Sequence, residues 1–96
     1  MNILTEADRL TNNDRQDIYS HPYEDFGRAT SLYQPILDSN LDPRLKHPLI
    51  MIQVKIARLL STPDHIDSMV DIAGYINTYY MVLEKLKSTT DKSAPK

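Results

Sequence analysis

The sequence contains no cysteine and no tryptophan, and only two of its 96 residues are glycine. Without cysteine, neither a disulfide framework nor a zinc site built on thiolates can form. No segment alternates apolar and polar residues as a strand would, and the scarcity of glycine disfavours hairpins. The composition, 41% hydrophobic and 25% charged, is that of a folded domain. These features predict an all-α fold.

A long apolar run and an excess of one charge are also missing. The most apolar stretch, residues 49–60, contains Gln53, Lys55 and Arg58 and is shorter than the ~20 residues that span a bilayer. The net charge is -2, with both signs mixed along the chain, whereas nucleic-acid binders concentrate basic residues. The N-terminus lacks the basic and apolar regions of a secretory signal. We therefore expect a cytoplasmic protein that binds neither a membrane nor nucleic acid.

Two helices are predicted in the first half of the chain from the spacing of apolar residues. The first covers residues 3–11, and the polar segment 14–20 is predicted to be a turn or an irregular link. The second helix begins at Pro22, because proline is tolerated at a first helical position. Pro35 removes a backbone donor, so we expect a kink or break there.

Two more helices are predicted in the second half. The third, roughly residues 48–60, is apolar nearly all round and should be central to the fold or to an oligomer interface. Pro48 is expected to stop or bend the turn that precedes this helix. The fourth follows Pro63 and runs to about Leu86. Its predicted apolar face comprises Ile66, Met69, Val70, Ala73, Ile76, Tyr80 and Leu83.

The predicted organisation is a single helical domain over residues 1–87, a compact bundle of about four helices, followed by a disordered tail over 88–96. A chain of this size buries only about 60–65% of the surface that its unfolded form exposes, so its core is thin. Oligomerisation would hide further apolar surface. We expect a homo-oligomer.

Charged and polar residues on the last two helices form the first candidate site. Asp67, Asp71 and Tyr75 recur at helical spacing on one stripe of the fourth helix, and Lys55 and Arg58 share a face of the third. If they meet in a pocket, the cations could hold a phosphorylated ligand and the carboxylates a Mg²⁺ ion. The alternative is an interhelical salt-bridge network with a purely structural role, and the sequence leaves both open.

A second candidate site is the segment 14–23, which contains Arg15 and Tyr19 together with a glutamine, a histidine and a second tyrosine. Such side chains suit recognition when a loop presents them. The alternative is that they form caps and turns and cover the core. Neither segment contains metal-ligand spacing for histidine or a glycine-rich phosphate loop.

Three blocks of the sequence carry a family resemblance: DRQDIYSHPYEDF at residues 14–26, KIAR at 55–58 and DSMVDIAGY at 67–75. They resemble the pattern DRQxxYGxPxxxF, KIAR and DxxxDIAGY of a small phage and prophage domain family of unknown function. Ser20 stands where that pattern has glycine. The resemblance implies a single helical domain of phage origin, located in the cytoplasm of the host, and it implies no activity.

The third block is also similar to the later metal-binding helix of MazG-like nucleotide pyrophosphohydrolases, which are all-helical. In that family an ExxD motif carries Mg²⁺, but Ser68 stands where its glutamate would be, and no ExxE motif precedes it. Those carboxylates would activate water and neutralise phosphate. The resemblance therefore implies a nucleotide pocket without hydrolysis, and whether the protein is an enzyme stays open.

Two functions follow from these patterns. In the first, the chain binds a nucleotide or related phosphorylated small molecule and sequesters it, using Arg15, Tyr19, Lys55, Arg58, Asp67, Asp71 and Tyr75. In the second, it is a non-enzymatic interaction protein that inhibits a host or defence protein. The candidate anchors for that role are tyrosines, because aromatic residues dominate interface hot spots: Tyr23, Tyr33, Tyr79 and Tyr80.

Overall fold

The computed structural model describes residues 2–93, and within that range the only regular elements are helices. The predicted all-α class is confirmed. No helix in the described range is long and apolar enough to cross a membrane. The elements are α1 (Ile3–Arg9), a π-helical turn (Leu10–Asp14), α2 (Arg15–Tyr19), α3 (Pro22–Leu37), α4 (Pro43–Ser61) and α5 (Ile66–Ser93).

The N-terminal segment is helical almost throughout, so the turn predicted at residues 14–20 was wrong. The side chain of Asn2 caps α1, and the π-helical turn joins α1 directly to α2. Polar side chains also bond to carbonyls within this helical path, as Gln16 Nε2 donates to the Thr11 oxygen at 3.1 Å. The helical path ends at Ser20, whose φ of 64° is left-handed.

Helix α3 runs through Pro35 without the predicted break. His21 caps its first turn by accepting a hydrogen bond from the Tyr23 amide at Nδ1, and Pro22 follows the cap as expected. Pro35 lies in the last turn, and α3 ends two residues later at Leu37. A proline this close to a helix end affects few of the helix's hydrogen bonds, which explains why the helix continues.

Helix α4 begins at Pro43 and continues through Pro48, so a stop at Pro48, one of the two expected outcomes, was wrong. Asp42 caps the helix by accepting from the Arg44 amide at 2.8 Å. Pro48 lies inside the helix and is buried, together with Leu45 and Ile52 on the same face. The packing of this face offsets the single hydrogen bond that proline removes.

Helix α5 begins at Ile66 and continues to Ser93, beyond the end predicted at Leu86. The predicted tail 88–96 is therefore helical over residues 88–93, and residues 94–96 lie outside the described part of the chain. The predicted apolar face of this helix is largely exposed, contrary to expectation. The more shielded residues of α5 lie on a different side of the helix and include Ser68, Ile72, Tyr75, Tyr79, Val82 and Leu86.

Helix α4 is the centre of the fold, as its all-round apolar character predicted. It packs against α3 on one side and α5 on the other, and α2 contacts both α3 and α4. The radius of gyration is 17.3 Å, against about 12–13 Å for a compact domain of this length. The molecule is elongated, and the buried apolar side chains of residues 2–93 are few: Ala29, Leu45, Pro48, Ile52 and Ala57.

Candidate functional site

Two arginines meet on one tyrosine ring where α2 packs against α4. The guanidinium carbon of Arg58 lies 4.4 Å from the centroid of the Tyr19 ring, and that of Arg15 lies 5.0 Å from it. Both distances are within the range of cation–π attraction. The structure thus brings together three predicted site residues that stand in two different segments of the sequence.

These three side chains line a cleft of about 90 Å³ between α2, α3 and α4. The cleft also contains Asp25, which is only 6% exposed although it is charged. Within the described part of the chain, Asp25 Oδ1 and Arg58 Nε are buried and make no hydrogen bond. Buried polar groups are almost always paired, so an unpaired acceptor and donor beside one cleft indicate a place for a polar ligand or water. The other lining residues are Thr11, Gln16, Ser20, Pro22 and Phe26.

The wall of the cleft is held by hydrogen bonds between three segments. Arg28 Nη2 donates to Ser20 Oγ at 2.7 Å and to Ser61 Oγ at 2.8 Å, and the two serine oxygens are 2.9 Å apart. Thr62 Oγ1 donates to the Ile18 carbonyl nearby. These bonds fix the end of α2 against the end of α4, and therefore hold Tyr19 next to Arg58.

The edge of the Tyr19 ring is fixed by the connection between α4 and α5. The His65 and Tyr19 rings meet edge to face, with centroids 5.5 Å apart and planes at 89°. His65 Nδ1 is in turn 2.7 Å from the hydroxyl of Ser68, which is 1% exposed. Ser68 is the position at which a MazG-like motif would carry glutamate, and here it lies in the interior.

The other predicted site residues lie apart from this cleft. Lys55 pairs with Asp71 at 3.0 Å, which joins α4 to α5 as the structural alternative predicted. Asp67 is exposed in the first turn of α5. Arg58 packs on Tyr19, so Lys55 pairs with Asp71 without it. The two cations therefore do not share one pocket.

Tyr75 and Asp71 line a shallow surface groove of about 340 Å³ along α5, together with Gly74 and Thr78. A methyl group added at Gly74 would meet no atom within 4 Å, so nothing in the structure approaches that glycine closely. Within the described residues, no three histidine, aspartate or glutamate side chains converge as metal ligands. The Mg²⁺ site expected at Asp67 and Asp71 stays a prediction.

Sequence reasoning missed Asp25, the most buried charged residue of the cleft. A signal was present, because Asp25 precedes the buried Ala29 by one helical turn and so lies on the same face of α3. Ser20 and Arg28 were also missed as partners, since only the packing of α2 on α4 brings Ser61 between them.

The sequence was compared with known proteins. Residues 2–82 match the model of the family described as a domain of unknown function (DUF6378). The chain belongs to this family. The predicted membership of a phage-type family of unknown function agrees with two similar proteins, both from bacteriophages. The first is the Gene 55 protein of Mycobacterium phage D29, 35% identical over 83 residues, which are 86% of this chain.

The second relative of this domain of unknown function is the Gene 55 protein of Mycobacterium phage L5, 33% identical over 96 residues and covering the whole chain. The chain spans 54% and 59% of the length of these two relatives. No solved structure matches it. Neither the family description nor the two names mentions nucleotides, so the MazG-like resemblance gains no support.

Proposed function

We propose that this domain binds the phosphate group of a small molecule, of the nucleotide class, in the cleft formed by Arg15, Tyr19 and Arg58. The observation that carries the proposal is the pair of guanidinium groups within about 5 Å of one ring centroid, beside a buried and unpaired Arg58 Nε. Both guanidinium groups line the same cleft and give it positive charge, which favours an anion there.

The ligand must also satisfy Asp25. Its buried Oδ1 needs a hydrogen-bond donor, and a carboxylate disfavours a ligand that carries only negative charge. A phosphorylated molecule with N–H or O–H groups offers an acceptor to Arg58 and a donor to Asp25. Nucleotides have this combination, and simple inorganic anions have it to a smaller degree.

The size of the cleft limits how much of the ligand it encloses. Its volume of about 90 Å³ equals that of roughly three water molecules. A phosphate group fits this space, and the rest of a nucleotide would extend over the rim. Phe26, which is 66% exposed at that rim, offers a face on which a base could stack.

Sequestration is favoured over hydrolysis by the environment of Ser68. The position that would carry the metal-binding glutamate of a hydrolase holds a buried serine bonded to His65. Ser68 reaches Tyr19 only through His65 and is not among the residues that line the cleft.

The test is calorimetric titration and thermal unfolding of the chain with ATP, GTP, their deoxy forms and inorganic phosphate, with and without Mg²⁺. A ligand at 100 times its Kd stabilises the fold by about 2.7 kcal/mol, which raises Tm by roughly 10–20 °C in a domain of this size. We expect a shift with at least one nucleotide, and no nucleoside monophosphate, nucleoside diphosphate, pyrophosphate or phosphate released by hydrolysis.

Variants make this test specific to the cleft. Arg58→Ala should abolish the shift, whereas Arg44→Ala, the same change at an exposed arginine paired with Asp42, should preserve it. Far-UV circular dichroism checks that each variant is folded. An unchanged nucleotide shift in Arg58→Ala, or no shift with any nucleotide in the wild type, would contradict the proposal.

A second candidate function, inhibition of a host or defence protein, is favoured by a groove between α3 and α4. The groove is shallow, has a volume of about 480 Å³, and is bordered by Tyr23 and Leu60, which are 84% and 62% exposed. Large exposed apolar side chains around a groove are typical of protein-interaction sites.

This second function predicts that Tyr23→Ala with Leu60→Ala removes a specific partner from a host-lysate pull-down and abolishes its inhibition. Tyr33→Ala is the comparison, because Tyr33 is half-buried and was predicted as an anchor without lying in the groove. Equal loss of the partner with Tyr33→Ala would argue against the groove.

A further inference from the structure

Helix α5 carries an apolar seam that faces away from the rest of the molecule. Its residues follow a heptad spacing, with Ile66, Ala73 and Tyr80 seven apart and Met69, Ile76 and Leu83 three residues after each. Ile66 is 62% exposed, Ile76 50% and Tyr80 59%, and Val70 extends the same face. Only Leu83 is half-buried. We name Ile66, Met69, Val70, Ala73, Ile76 and Tyr80 the α5 seam.

The spacing of the α5 seam indicates that its partner is another helix. Apolar residues that alternate three and four apart form the contact line of a coiled coil, in which each side chain fits between residues of the facing helix. No charged residue lies on this line. An ordinary solvent-facing side of a helix would carry polar residues there.

We propose that the α5 seam binds the same seam of a second copy, giving an antiparallel dimer with its two-fold axis at Ala73. That axis places Ile66 opposite Tyr80 and Val70 opposite Ile76, so that a smaller side chain faces a larger one in these two layers, and it places Met69 opposite Asn77. At the axis the two Ala73 side chains meet, and small residues there let the backbones approach closely. The proposal is independent of the cleft, because no residue of the α5 seam lines it.

The area of the α5 seam suits a reversible dimer. If a large apolar side chain presents on the order of 150–200 Å², the exposed fractions give roughly 500 Å² of apolar surface per copy. The pair would bury about 1,000 Å², the lower limit of a specific interface. We therefore expect dissociation constants in the micromolar range.

The first experiment is sedimentation velocity of the full chain over roughly 1–500 µM, a range chosen to bracket a micromolar constant. Ala73→Glu places two like charges at the axis and should raise the dissociation constant at least ~10-fold. Ala7→Glu, the same change at an exposed position of α1, should leave it unchanged. Ala73 is exposed in the single copy, so neither variant removes a core contact.

Cysteine cross-linking then tests the direction of pairing, and the absence of native cysteine makes each introduced thiol unique. Ala73→Cys should oxidise to a covalent dimer. Ile66→Cys and Tyr80→Cys should cross-link to each other when mixed, and neither should cross-link to itself. A monomer at every concentration, or self-cross-linking of Ile66→Cys without the mixed product, would overturn the proposal.

Discussion

Two opposing contributions to stability meet at Ser20, the strain of its left-handed backbone and the hydrogen bond of its side chain, and substitutions there can separate them. Ser20 ends the N-terminal helical path with a φ of 64° and accepts a hydrogen bond from Arg28 Nη2 at 2.7 Å. Glycine would adopt this φ without strain but would lose the bond. Alanine would lose the bond and keep the strain.

The two terms have different sizes. A side chain in the left-handed region costs about 1–2 kcal/mol of stability, which glycine avoids. Glycine also has more conformational freedom in the unfolded chain, and this offsets about 0.4–1 kcal/mol of that gain. A hydrogen bond from a charged donor contributes about 1.5–3 kcal/mol, and the lower value applies because Arg28 Nη2 keeps Ser61 as a partner. Ser20→Ala should therefore lower the free energy of unfolding by ~1.5 kcal/mol, and Ser20→Gly by only ~0.5 kcal/mol.

The assay is urea unfolding of the wild type and both variants, followed by circular dichroism and analysed with a common slope. The decisive quantity is the difference between the two variants, in which the lost hydrogen bond cancels. If Ser20→Ala were as stable as Ser20→Gly, the backbone strain at this position would be negligible and the reasoning refuted.

Three further predictions concern helices α4 and α5. Gly74→Ala should raise the free energy of unfolding by about 0.8–1 kcal/mol, because Gly74 is inside a helix with open space around it, and a thermal melt checks this. Lys55→Met should cost less than ~1 kcal/mol in urea unfolding and should weaken the salt dependence of stability, since Asp71 is half-exposed. The side-chain hydrogen bond from Arg44 lowers the pKa of Asp42 below its ordinary 3.8, so stability should fall as pH drops through that lowered pKa. Asp42→Asn should remove this acid dependence from melts recorded against pH.

The helices could be predicted from the sequence because their signals are local. Pro22 marked the first residue of α3, and the central place of α4 followed from its all-round apolar character. Pro35 and Pro48 were wrongly expected to interrupt helices. The cost of Pro48 in particular depends on the side chains that pack around it, which the sequence does not show. The polar segment that includes Arg15 and Tyr19 was expected to be a turn, but its side chains satisfy backbone groups within a helix.

The sequence by itself determined the all-α class and the family, because residue spacing and motif order can be read directly along the chain. Only the tertiary structure decided which candidate residues meet. Arg58 could have faced Asp67 or Tyr19 with the same helical spacing, and the rotation of α4 against α2 selected Tyr19. In the same way, α5 has two sides that could pack, and its contact with α4 buried the one containing Ser68 while leaving the more apolar seam exposed. Such choices depend on the summed packing of distant segments, which no local pattern records.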